Sequence, residues 1–283
     1  MYNIFCSNKI TEELFSMSGE IRGYGARPVI EAKRSKYLPV LNKLKLGLFP
    51  KVEIKNHMEK YGVDLTDCDP DDAAGYESFE DYLARPFKEG ARPLDGASNS
   101  LICPCDGWLT AHFINNLCTI PVNGHMYSVD KLMGGEGDAK EYAGGLALII
   151  RLDEADPHRF IHIDDGVICD VRQLDAEKNQ EDSMFFGPRT CTVMNTKRFH
   201  GVVQVEACGN AKGVEQLGDG ESPAFRRGGI KGRFLCSTAG IIILFKKGMM
   251  FPDDEFMVNT RKGLETRVRM GEKLGMAITM MAF

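Results

Sequence analysis

From about residue 100 onward, short apolar runs alternate with Gly, Asp, Asn and Pro, a texture that predicts many short strands. Gly145 to Leu152, Thr190 to Met194, Val202 to Val205 and Ala239 to Phe245 are the clearest of these runs. The earlier part of the chain reads differently. Thr11-Glu12-Glu13-Leu14 offers a helix cap with an acidic first turn. Ser35 precedes Leu38, Leu41, Leu44 and Leu48 at helical spacing. A further helix is predicted over Glu53 to Tyr61, ended by Gly62, with the Asp-rich stretch Asp64 to Asp72 as a loop. Ser78-Phe79-Glu80-Asp81 is a capping-box variant that opens a short helix through Arg85, stopped by Pro86. The expected class is α+β: a helical N-terminal region (residues 1–75) followed by a strand-rich body (residues 76–283), without internal repeats or low-complexity segments.

Composition adds bounds to this picture. The 283 residues, 43% hydrophobic and 27% charged, suit an ordinary globular protein with a sizeable core. A net charge of -5 argues against nucleic acid as a general partner. The longest apolar runs, such as Leu146 to Ile150 and Ile241 to Phe245, are too short to span a bilayer. The N-terminus lacks the basic head and apolar stretch of a signal peptide, so a cytoplasmic location is expected. Residues 31–61 nevertheless hold eight Lys/Arg against three Glu. Such a segment suits a peripheral position on an anionic membrane surface, and equally a helix packed on its own core with a solvated basic face. Nine scattered cysteines fit reduced thiols. Cys103-Pro104-Cys105 lacks a second ligand pair, so no metal site is expected.

One stretch concentrates the candidate chemistry. Gly232-Arg233-Phe234-Leu235-Cys236-Ser237-Thr238 places two small hydroxyls at the mouth of the apolar run Ala239 to Phe245. Alone, that pair reads as a turn whose hydroxyls bond local backbone. Five other segments change the reading. Ser78 to Phe87 resembles an S-F-x-x-F-F-x-R entry helix, and Cys103-Pro104-Cys105-Asp106-Gly107 an S-P-x-D-G motif. Gly124 to Met133 resembles K-G-x-x-Y-S-x-x-x-L-L, and Ile150 to Phe160, closed by Gly166, resembles R-L-x-x-x-D-Y-H-R-F. Val268 to Gly275 matches V-x-x-G-E-x-L-G, and Gly232 to Thr238 stands where G-x-F-x-x-G-S-T is expected. In this order, over residues 78–275, the segments resemble the phosphatidylserine decarboxylase family.

The resemblance implies a carboxy-lyase that cuts itself between Cys236 and Ser237 and acts through a pyruvoyl group made from Ser237. A serine hydroxyl needs a base, itself oriented by a third group. Asp106 and a histidine, His158 or His162, are the implied base and orienter, with Thr238 beside the cut. The resulting ketone would form a Schiff base with an amine substrate and draw electrons as CO2 leaves, and histidine suits the later protonation. The implied reaction converts phosphatidylserine to phosphatidylethanolamine, with a peripheral place on the inner face of the cell membrane and a homodimer as the implied assembly. Two alternatives stand beside it: the same chemistry on a soluble amino acid, and a non-catalytic relative.

Three departures bear on that choice. The family pattern carries a second histidine three residues after the first, where this chain has Ile161, with His162 one position later. A one-residue shift on a strand turns a side chain to the opposite face, although a bulge could restore it. Cys236 replaces the glycine that precedes the serine, with one residue fewer after Phe234. Ile230 stands near where the family carries an acidic residue, and Gly187-Pro188-Arg189 keeps only the arginine of N-E-R.

Overall fold

A computed structural model of the chain describes residues 25–30, 50–122, 125–135, 139–176, 184–209, 213–217 and 222–278. The predicted helices around Thr11 and Ser35 lie outside these residues, as does most of the basic segment. Among the described residues, strands dominate. One nine-stranded antiparallel sheet runs in the order β1 (Ala26–Pro28), β16 (Leu264–Val268), β3 (Gly107–Phe113), β6 (Leu146–Leu152), β14 (Ala239–Phe245), β10 (His200–Cys208), β9 (Arg189–Thr196), β8 (Gly166–Leu174) and β12 (Ala224–Phe225). A three-stranded sheet holds β11 (Val214–Gln216), β13 (Ile230–Phe234) and β7 (Arg159–Ile161). Another holds β15 (Met250–Pro252), β17 (Lys273–Ala277) and β2 (Ser100–Ile102), and β4 (Thr119–Val122) pairs with β5 (His125–Ser128). The helices are short: α1 (Pro50–Tyr61), α2 (Phe79–Leu83), α3 (Val129–Leu132) and α4 (Asp254–Arg261). Among the described residues, no helix is long and apolar enough to cross a membrane.

The apolar run at 239–245 becomes the centre of the large sheet because both its faces are covered. Every residue of β14 is buried. Ile241, Ile243 and Phe245 face one apolar cluster, which also contains Phe160, Phe234 and Cys236. Ile242 and Leu244 face another, with Phe185, Phe186 and Val203. A strand buried on both faces reads as a continuous apolar run, not as an alternation. A third cluster joins α1 and α2 through Ile54, Leu65, Tyr76, Tyr82 and Leu83. Ser78 caps α2 as the sequence predicts, its hydroxyl accepting from the Asp81 amide at 3.0 Å. Gly62 follows α1 with φ +65°, the left-handed geometry expected of a residue ending a helix there.

The reduced-thiol reading needs one correction. Cys208 and Cys236 form a disulfide, with Cα atoms 6.1 Å apart. Sequence spacing hides it, because 28 residues separate the two. Antiparallel pairing of β10 with β14 sets Cys208 opposite Ala239, and the bend before Ala239 returns residue 236 to β10. Among the described residues, Cys68, Cys103, Cys105, Cys118, Cys169 and Cys191 stand outside any disulfide.

Candidate active site

The Cys236–Ser237 bond lies in a gap between two strands. Regular pairing stops at Phe234 on β13 and resumes at Ala239 on β14, and residues 235–238 form bends. Upstream, the Phe234 amide donates to the His158 carbonyl at 2.8 Å. Downstream, the Gly209 amide donates to the Thr238 carbonyl at 2.8 Å. Cys236 is buried, whereas Ser237 and Thr238 are partly exposed.

His158 is fully buried just before β7, its amide donating to the Leu83 carbonyl at 2.7 Å. Burial lowers the imidazole pKa to about 4, opposed by the backbone of Asp153, by the charge of Asp156 and by the backbone of Cys236. The ring is therefore neutral at neutral pH. Nε2 lies 3.3 Å from the Asp153 carbonyl, and Nδ1 has no hydrogen-bond partner. A carbonyl only accepts, so the tautomer with its proton on Nε2 makes this bond and leaves a lone pair on Nδ1. That is the protonation state a general base requires.

Asp106 is also buried, yet its bonds run elsewhere. Its carboxylate accepts from Arg92 Nη2 at 2.8 Å and from the Met270 amide at 2.8 Å. The carboxylate whose charge acts on His158 is Asp156, two residues upstream, which accepts from the Asp153 amide and pairs with Arg267. Asp156 belongs to the Asp-x-His motif, but spacing alone did not single it out for a role.

The two histidines sit at opposite ends of β7. Residues 158, 160 and 162 share strand parity, so about 13 Å of strand separates His158 from His162. His162 stacks on Phe225, with ring centroids 4.1 Å apart, and burial followed by the Lys231 charge lowers its pKa to about 3. The bulge that could have returned His162 to the cut falls on the partner strand β13, between Ile230 and Gly232. Ile161 points the other way and packs with Ile102 and Met270, on the side where Met270 bonds Asp106. Near His162, the buried Lys231 pairs with buried Glu206 and donates to Thr192 Oγ1 at 2.9 Å. Arg189, kept from the N-E-R pattern, is buried and donates to the carbonyls of Lys131, Leu132, Asp175 and Gly187, tying β9 to α3.

Across the large sheet lies a cavity of about 400 Å³ lined by Val29, Trp108, Val122, Ile149 and Phe185, with Arg151 and Glu265 among its polar walls. Arg151 bonds Asp153, whose carbonyl faces His158.

The family model for phosphatidylserine decarboxylase matches residues 79–276, from the start of α2 to the last strand. The chain belongs to the phosphatidylserine decarboxylase family. That family is one of carboxy-lyases, and its members include similar sequences described as phosphatidylserine decarboxylase proenzymes. The one from Ruminiclostridium cellulolyticum is 30% identical over 237 residues, covering 80% of this chain and 78% of the relative. The one from Clostridium novyi is 31% identical over 212 residues, covering 71% of each. The one from Fusobacterium nucleatum is 27% identical over 235 residues, covering 80% of this chain and 78% of the relative. In this phosphatidylserine decarboxylase family member, β13, the 235–238 gap and β14 carry the segment first singled out in the sequence.

Proposed function

We propose that the chain cuts itself between Cys236 and Ser237 and then decarboxylates phosphatidylserine to phosphatidylethanolamine. The observation that carries this reading is His158: a buried, neutral imidazole with a free Nδ1, hydrogen-bonded through its own backbone to the strand end that leads into Cys236. His158 Nδ1 takes the Ser237 hydroxyl proton as Oγ attacks the Cys236 carbonyl carbon. The C–O ester bond forms and the C–N bond breaks. Loss of the Ser237 Cα proton then expels the Cys236 carboxylate, and water releases ammonia, leaving fragments 1–236 and 237–283. The site fits a pyruvoyl group at residue 237, since that position is partly exposed and stands at the mouth of a rigid strand. The group supplies an electron sink for loss of CO2 from an amine-bearing substrate.

Asp156 and the Asp153 carbonyl orient His158. Asp106, clamped by Arg92, fixes the Met270 turn, and His162 stands apart from the cut. The deciding experiment is intact mass of the purified protein, which should show the two fragments, together with Ser237→Ala, which should remain one chain. CO2 release from phosphatidylserine vesicles, measured against free amino acids, separates a lipid from a soluble substrate. A single wild-type chain without a carbonyl-reactive terminus would overturn the proposal.

A further inference from the structure

We propose that Cys208 is a positioning residue for self-cleavage: through its disulfide to Cys236 it holds the acyl side of the Cys236–Ser237 bond on β10, so that the chain cuts faster with the disulfide closed than open. The inference rests on the proposed self-cleavage at that bond.

The geometry has three parts. First, the strand ladder is interrupted over residues 235–238, and the disulfide is a covalent anchor inside that gap. Second, the other end of the anchor is rigid. Cys208 is fully buried, closes β10 in the middle of the large sheet, pairs with Ala239 and donates its amide to the Pro188 carbonyl. Third, the anchored residue supplies the carbonyl that Ser237 must attack, next to His158. A glycine at 236 would have backbone freedom but no side chain to tether. Cysteine gives up that freedom and replaces it with a fixed position.

Restricting the acyl carbon to one place raises the fraction of time in which the hydroxyl can reach it, the usual origin of large intramolecular rate gains. Both cysteines belong to fragment 1–236, so the cut leaves the tether intact and keeps the new Cys236 carboxylate on β10. Closing the pair needs a two-electron oxidant such as glutathione disulfide. The two thiols become one disulfide while the oxidant becomes two glutathione thiols, which take the two protons. Excess glutathione reverses the exchange.

The test follows self-cleavage of freshly synthesised full-length chain in buffers that span glutathione to glutathione disulfide ratios. Fragments are read by intact mass, the 208–236 link by peptide mapping, and the folded fraction by protease resistance. In the wild-type chain the rate per folded molecule should rise on the order of tenfold as the link closes, with the same midpoint as the link itself. Cys208→Ser should cut at the slow rate at every ratio, and Cys169→Ser, which removes an exposed free thiol, should keep the full response. If Cys208→Ser does not fold, the wild-type titration alone decides. Equal wild-type rates with the link open and closed, or no 208–236 link in the oxidising buffer, would overturn the inference while leaving the proposed function standing. No cut at any ratio would remove both.

Discussion

Lys231→Met should destabilise the chain by an amount that grows with pH, because it strands a buried carboxylate. Lys231 and Glu206 are both almost inaccessible, at 1% and 0% exposure, and they pair with each other. Burial pushes the Glu206 carboxyl up, and the Lys231 charge is what opposes it. With methionine in place of the ammonium, Glu206 folds protonated, so its folded pKa lies above its unfolded one. Stability tied to such a group is present below the unfolded pKa and is lost as pH rises towards the folded pKa. Taking an unfolded value of about 4.3, protonating the carboxyl costs about 1 kcal/mol at pH 5 and about 3.7 kcal/mol at pH 7. The latter figure lies within the range of roughly 3–5 kcal/mol found when one partner of a buried pair is removed. Methionine keeps most of the stem but loses the ammonium, which lies 5.6 Å from the Phe160 ring centroid and donates to Thr192 Oγ1, so a loss that does not depend on pH accompanies the electrostatic one. The assay is urea denaturation of Ser237→Ala with and without Lys231→Met at pH 5 and pH 7, which keeps the chain in one piece. Adding Glu206→Gln should remove the pH dependence. A loss that is equal at the two pH values would refute the electrostatic account and leave only packing.

Three further outcomes follow from the same structure. Gly240→Ala should cost about 1–3 kcal/mol and slow self-cleavage, since a Cβ there would stand 2.6 Å from Met184 Cε and 2.7 Å from Phe185 Cζ; an unchanged denaturation midpoint would show that the contact can relax. The self-cleavage rate should stay flat from pH 8 to about pH 5 and fall with an inflection near 4, because His158 is neutral down to that value; an inflection near the ordinary histidine value would mean that the ring is solvated. The same depressed pKa contributes stability that is complete above about pH 6.5 and lost as pH falls towards 4, about 2 kcal/mol of it by pH 5.

Much of this protein was legible in the order of its residues. Alternation of apolar runs and turn residues predicts the strands, and β6 and β14 fall where the runs do. Ser78 announced α2, since a cap is a local hydrogen bond between neighbours in sequence. The segment Cys236-Ser237-Thr238, set among five other motifs, was enough to place the candidate cut. What lay beyond the sequence were relations between distant residues. Asp106 accepts from Arg92 and from the Met270 amide, both brought to it from other parts of the chain. His158 and His162 stand at opposite ends of β7, a separation set by the strand's rise. The Cys208–Cys236 link depended on the β10–β14 register, which no local pattern contains. Local structure is set by neighbours along the chain, whereas these contacts exist only after strands far apart in sequence have paired. Chain order alone therefore determined which bond is the candidate for cleavage; tertiary pairing decided which histidine lies beside residue 236 and which cysteine bonds to it.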